Sequence, residues 1–541
     1  MRSRVPARFA LLVLLLAGCG PGPPAGRGDA DGPPGYGGRF VFPLPIEPST
    51  LNYVVGTDMP SVLVQRLVAE GLVDHDADLR PVPRLAESWN FSPDGRVLTF
   101  RLRRGVRFHD GSPFTSADVL HTYRRIIDPA SRAVGRLDAF LPVEKVETPD
   151  PLTVRVTYRH PYAPALRGWE APILPRHLDT SEDLAASPLN RAPVGTGPFR
   201  FASWEAGQRI VLTANEAYWG GRPYLDSFVF QVIPSQETRL QALLAGEVDY
   251  AHLTPVQWEA HGGSASFRRR FRSIRYVPLF LYYIAWRSDG SNPFFGDPAV
   301  RRALSLALDR QGYVSTVLRG MGRVADSPFH PQQLAPDPRS PGPVYDPAAA
   351  AARLEAAGWR VDPKTGVRAR DGVPFRFTLL VYSGGEDHLR FSQVAQESLR
   401  RLGVEMSIER LDWPALWTRL KEGEFQAALS GTVPGLDPDS WYGMLHSSQI
   451  DGGQNYAAFR DARVDAWLDE GRRSIDAHRR LELYRRVERR VRDLQPYTFL
   501  FFPIVRAAVS RRVRGLSASP LGIIDQYPGA ERIYVTGAGA R

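Results

Sequence analysis

Cys19 is the only thiol in a chain of 541 residues. One cysteine excludes an intrachain disulfide, a paired redox motif and a thiolate zinc cage. The other reactive residue types form no recognisable set. There is no HExxH zinc helix, no GxSxG nucleophile elbow and no Walker-type phosphate loop. Gly320, Gly322 and Ala325 have GxGxxA spacing, but the run does not carry a strand into a helix, so no dinucleotide turn is expected. His109-Asp110, at the turn signal Asp110-Gly111, reads as a surface turn in preference to a metal site. No nucleophile, base and acid can be assigned to one cleft. The chain is therefore expected to be no enzyme and to hold neither metal nor cofactor. Binding chemistry remains. Tyr282, Tyr283, Trp286, Trp413, Trp417, Trp441 and Tyr442 gather in the second half of the chain. Such rings stack on sugars or apolar ligand side chains, and they equally form core stripes. Both readings stand at this level.

Cys19 has its own context. Arg2, Arg4 and Arg8 precede an apolar run over 9–17. That run is far shorter than the ~20 residues that span a bilayer, and its basic flank describes an export signal. Leu16-Ala17-Gly18-Cys19 resembles the bacterial lipobox, in which the cysteine is lipidated and becomes the first mature residue. A plain signal peptide with a chance cysteine is the other reading. Residues 1–18 are read as signal peptide. Residues 19–38, rich in Gly and Pro, are read as a tether that buries no apolar surface. The expected location is periplasm or cell surface, with the membrane contacted through the lipid only. Gly20, at the second mature position, leaves inner or outer membrane open. The net charge is +10. Arginine is spread along the whole chain, and the dense Arg268-Arg269-Arg270 run with Arg272 reads as a solvated face or strand edge, so no nucleic-acid partner is expected.

The elements that must position any site are mixed. Leu98, Phe100 and Leu102 alternate between the turns Pro93-Asp94-Gly95 and Asp110-Gly111, as a half-buried strand does. Thr115 and Asp118 form a capping box ahead of a helix. Asp297-Pro298 and Asp346-Pro347 each place a cap residue before Pro at the first helical position. The second of these helices stops near Gly358. Residues 373–381 read as a strand feeding a helix over 389–402. Strand–helix alternation predicts an α/β protein.

Several motifs in fixed order carry a resemblance. Pro83-Arg84-Leu85-Ala86-Glu87-Ser88-Trp89, the 100–111 hairpin, Phe114-Thr115-Ser116-Ala117-Asp118, Gly195-Thr196-Gly197-Pro198-Phe199, Tyr218-Trp219-Gly220, Ala245-Gly246-Glu247-Val248-Asp249, the 300–310 segment and Ala357-Gly358-Trp359 resemble the extracellular solute-binding proteins of family 5, the oligopeptide, dipeptide and nickel-binding type. The resemblance runs over about 39–535. It implies a two-lobed periplasmic-binding-protein fold with a subdomain inserted in lobe I. Lobe I would combine 39–68, 194–277 and 509–541, with 69–193 inserted, and lobe II would be 278–508. The strands near 276–284 and 499–505 would cross between lobes. The resemblance also implies a peptide or small organic ligand, closure of the lobes around it, delivery to a permease and through it an ATPase, and a monomer. An oligosaccharide or metal-chelate receptor is the alternative on this fold; a peptide chaperone or signalling receptor without transport is the alternative of another class.

The resemblance carries site residues too. Gly56, Thr57 and Asp58 match the family loop that lies on the ligand, or simply join a strand to a helix. In peptide-binding members an Asp four residues before the Pro of an acid-Pro pair holds the ligand's amino group. Here the pair is Asp437-Pro438 and the fourth residue back is Pro434, with Thr432 and Val433 beside it. An arginine that holds the carboxylate in dipeptide binders falls at Tyr382 or Ser383. The zwitterion clamp is thus expected to be missing, unless Asp437 or Asp58 takes it over. Tyr282, Tyr283, Trp286, Trp413 and Trp441 complete the expected cleft.

Overall fold

The computed structural model describes residues 34–131, 133–337 and 342–536. Cys19 and the leader lie outside the described residues.

The crossing of the chain between two sheets organises the molecule. A six-stranded mixed sheet has the strand order Gly322–Val324, Tyr497–Pro503, Leu281–Trp286, Ala427–Thr432, Arg376–Tyr382 and Glu405–Leu411. Side chains alternate across it. Leu281, Tyr283 and Ala285 enter one core, and Ile284 and Trp286 enter the other. Helices cover both faces, so these strands are nearly continuous apolar runs. The strand Leu281–Trp286 follows Phe271–Tyr276, which belongs to a different, three-stranded sheet with Tyr250–His252 and Val505–Ser510. The chain returns from Pro503 to Val505. It therefore passes between sheets twice, over 277–280 and at Ile504. Past the return, strand Val505–Ser510 pairs with Phe271–Tyr276.

The first lobe is built on a four-stranded sheet in which Arg39–Leu44 pairs in parallel with Ser227–Val232. A second four-stranded sheet lies within the expected insert: Ala86–Phe91, Val97–Leu102, Thr153–Tyr158 and Val143–Asp150. Leu98, Phe100 and Leu102 are buried on one face of it, and they share one continuous core with Phe40, Phe228 and Phe230. These two four-stranded sheets thus share one core. Helix starts follow their caps. Thr115 and Asp118 form the capping box of Ser116–Ile127. Asp297 accepts from the Ala299 N–H and Asp346 from the Ala349 N–H, each ahead of Pro at the first helical position.

The motifs of the first lobe converge on one buried carboxylate. Glu70 accepts from Tyr218 (2.6 Å), Trp219 Nε1 (2.8 Å) and Thr196 (2.9 Å), and pairs with Arg84 at 2.8 Å. Arg84 also lies 4.0 Å over the Tyr527 ring. Glycines flank Thr196 for a packing reason. A Cβ on Gly195 would lie 2.1 Å from the Val68 carbonyl oxygen, and one on Gly197 would lie 2.6 Å from that of Leu67. These motifs hold the end of helix Met59–Val68 against the lobe.

Candidate cleft between the lobes

The lobes also touch away from the two chain crossings. Helix Ala462–Arg473 of the second lobe contacts the short helical segment Ala163–Glu170 of the insert. At the turn of Gly95, a Cβ would lie 3.0 Å from Ile475 Cγ2 and 3.4 Å from Pro161 Cβ. Arg319 forms an ion pair with Glu259 of the first lobe.

A cavity of about 720 Å³ lies between the lobes. Its first-lobe wall comes from helix Met59–Val68 (Val62, Gln65, Arg66) and from the insert (Arg136, Tyr162, Glu170). Its second-lobe wall comes from helix Trp413–Glu422 (Trp417, Lys421), from Asp439 and Tyr442, and from Tyr456 and Arg472. Rings therefore face ionic groups. Lys421 Nζ lies 5.2 Å from the centre of Trp417, and the Arg472 guanidinium 3.5 Å from that of Tyr442.

The ionic groups differ in how they are matched. Asp439 is wholly buried, and burial raises its pKa, with Arg472 at 2.9 Å pulling it back. Arg66 pairs with Asp74 at 2.8 Å. Burial pushes Glu170 up to about 8, an effect that Arg66 reduces and Asp74 reinforces. At neutral pH Glu170 is therefore mainly a neutral hydrogen-bond donor. Arg136 donates from Nη2 to Gln65 Oε1 at 3.3 Å. Its Nε is buried without a hydrogen-bond partner. Burial, with Arg66 adding repulsion, lowers its pKa to about 10, which still leaves it charged at pH 7.

The residues expected from the sequence lie behind or beside this wall. Asp58 caps helix Met59–Val68, accepting from the Ser61 N–H at 3.0 Å and Ser61 Oγ at 2.6 Å, with Ser49 also donating to it. Burial alone would raise its pKa, but these bonds lower it. Gly56 is packed so closely that a Cβ would lie 2.9 Å from the Asn52 carbonyl oxygen, and its own carbonyl accepts from Gln65. Thr57 is exposed. Asp437 caps the turn Pro438–Trp441 and takes two bonds from Arg480, at 2.7 and 3.0 Å. Neither acid is free to hold a ligand ammonium. Pro434 is buried, Val433 exposed and Thr432 half-buried at the end of its strand.

The expected aromatics divide. Trp286 and Trp441 are packed in the core instead of lining the cavity. Trp286 donates to Thr498 at 2.9 Å, and Trp441 meets the Phe499 ring edge-on at 5.9 Å. Tyr283 is buried against Tyr497, and Tyr282 packs on Phe501 and His388. The period-2 strand explains why these two rings point to opposite faces. Trp413 is half-exposed, stacks on Trp417 and meets the Tyr382 ring edge-on; it supports the wall through Trp417. The residues that sequence reasoning did not single out are Gln65, Arg136, Glu170, Lys421, Asp439 and Arg472. None of them stood in a motif, although Asp439 directly follows the Asp437-Pro438 pair.

Among the described residues no group of His, Cys, Asp and Glu is arranged to hold a metal ion, and no helix is long and apolar enough to cross a membrane.

Comparison with known proteins places the arrangement. The family model described as bacterial extracellular solute-binding proteins, family 5 Middle, matches residues 80–453. Protein XP55 of Streptomyces lividans is 34% identical over 472 residues, 85% of this chain and 82% of its own. The oligopeptide-binding protein AppA of Bacillus subtilis is 30% identical over 501 residues, 90% of each chain. The structure of AppA in complex with a nonapeptide matches with a TM-score of 0.77 at 28% identity, covering 93% of this chain and all of that one. NikA from Brucella suis in complex with Fe(III)-EDTA matches with a TM-score of 0.81 at 26% identity, covering 92% of this chain and all of that one.

Proposed function

The chain belongs to the bacterial extracellular solute-binding proteins of family 5, and from that premise we propose that it is the extracytoplasmic receptor of an ABC importer. It takes up a peptide or other small organic solute between its lobes, is held closed by that solute, and delivers it to a permease whose ATPase it meets only indirectly. The observation that carries this reading is the cavity walled by both lobes, in a molecule whose chain crosses between them twice. A ligand that contacts both walls favours the closed state by its differential affinity for it. The volume lies within the ~300–1,000 Å³ typical of small-molecule sites, which favours a short ligand over a long peptide.

The protein acts as a monomer and turns nothing over. It is exported, and Cys19 anchors it to a membrane through lipid. An oligosaccharide is the second reading, favoured by Trp417, Tyr442 and Tyr456 on one wall.

Mass spectrometry of the intact purified protein under native conditions tests the reading. The expected result is a co-purified small solute whose removal lowers the melting temperature, as linkage requires. The denatured spectrum of the same sample reports whether Cys19 is the acylated first residue. Absence of any bound solute, together with no thermal shift from peptides, oligosaccharides or metal chelates, would overturn the receptor assignment.

A further inference from the structure

The cleft is unevenly matched in charge. Every acid near it is engaged or neutral except one. Asp58 is held by Ser49 and Ser61, Asp437 by Arg480 and Asp439 by Arg472. Glu170, half-buried beside His75 at 3.8 Å, is pushed up to about 8. Asp138 alone remains, exposed at the rim. The bases are different. Arg66 and Arg472 have carboxylate partners, at 2.8 and 2.9 Å. Arg136, Arg167 and Lys421 line the same cavity and pair with no carboxylate among the described residues. Arg136 is the most enclosed of the three: among the described residues its only hydrogen bond is the one to Gln65, and its Nε has no partner there.

A half-buried guanidinium without a paired carboxylate is costly, and a planar carboxylate or similar oxyanion is the partner its fork of donors fits. A buried ligand ammonium needs the reverse, an uncommitted carboxylate inside the cleft, and among the described residues only Asp138, exposed at the rim, is uncommitted.

We propose that the solute bound here is an anion whose carboxylate, or comparable acidic group, is received by Arg136, and that its recognition does not depend on a free amino group. This rests on the receptor reading above and narrows the class of ligand. Arg167 and Lys421 add to the local field, so polyanionic solutes are favoured over monoanionic ones of the same size.

The test uses the full purified chain after removal of co-purified solute. The probes are a random tripeptide mixture in four forms (free ends, N-acetylated, C-amidated, and capped at both ends) and citrate as a non-peptide polycarboxylate. Native mass spectrometry and isothermal titration read the binding. The expected result is that C-amidation, or exchange of citrate for its triamide, weakens binding by at least about tenfold, the scale of one charge-assisted hydrogen-bonded pair, while N-acetylation changes it by less than about threefold. Arg136→Gln should abolish the preference for acid over amide, and Arg136→Lys should restore part of it. The lysine variant, with both variants' unliganded melting temperatures, separates lost recognition from lost folding. Equal binding of acid and amide forms, or loss of binding on N-acetylation, would overturn the anion assignment and leave the receptor reading standing. Failure of every probe and of the co-purified solute to bind again would overturn the receptor reading, and this inference with it.

Discussion

Glu70→Ala should be among the most damaging single substitutions in the first lobe. It would leave Arg84 buried without its 2.8 Å partner and would orphan the donors of Tyr218, Trp219 and Thr196. Removing one partner of a buried pair costs about 3–5 kcal/mol, and the midpoint of urea unfolding measures it. An unchanged midpoint would refute the role of the cluster. Arg84, Thr196, Tyr218 and Trp219 were legible in the sequence as motifs, but not as one cluster, because their partner Glu70 stood in none of those motifs. At the cleft the position is reversed. Pro434 in place of an acid was legible, and it directed attention to Asp58 and Asp437 as substitutes. Both acids are occupied, one as a helix cap and one by Arg480. A linear sequence cannot show which partner a carboxylate has already taken. Arg136 was invisible for a related reason: it is one arginine among many, and only the fold separates it from counter-charge.

Elements were easier to read than their partners. The capping box at Thr115 and the Asp-Pro starts at 297 and 346 became helix starts because each satisfies backbone donors locally, without tertiary help. The apolar runs near 281 and 499 became strands buried on both faces. What periodicity could not supply was the pairing that makes Val505–Ser510 part of the first lobe's three-stranded sheet. The discontinuous lobes were expected only from the family resemblance, since no composition shift marks them. The Gly195-Thr196-Gly197 turn shows a residue choice set by two elements at once. Gly195→Ala must push the turn off helix Met59–Val68, because the obstructing atom is backbone and cannot rotate away. Overpacking of this kind costs roughly 1–3 kcal/mol. A thermal melt should show the loss, and an unchanged melt would mean that the turn does not pack as described.

On the scale of the whole molecule, stability should peak near neutral pH. His75, His109, His330 and His388 are held at about 4 by burial, below the ordinary 6.5. As pH falls from about 6.5 to 4 the unfolded chain takes up these protons and the folded one does not, so their contribution is lost on acidification. Glu170 and Asp525 work the other way. Raised by burial to about 8 and about 6, they contribute most below their unfolded values, and that stability is lost as pH rises through those figures. Against these two stand five histidines, since His252 is also held at about 4, so the acid side is the steeper, and of the two acids only Glu170 still acts above pH 6.5. Urea midpoints measured from pH 4 to 8.5 should rise to a maximum at about 6.5 and then decline gently; a monotonic fall from pH 5 would contradict the burial of these groups. The central claim is that ligand is enclosed between lobes that open and close. The most direct test is a cross-cleft lock, Gly95→Cys with Ile475→Cys in a Cys19→Ser background, which leaves no other thiol. The Cβ built at Gly95 lies 3.0 Å from Ile475 Cγ2, within reach of a bridge whose Cβ atoms sit about 3.5–4.5 Å apart. Oxidised while empty, the protein should refuse its co-purified solute. Oxidised while loaded, it should keep the solute through dialysis, and reduction should reverse both states. Equal exchange of solute by the oxidised and reduced forms would contradict the account.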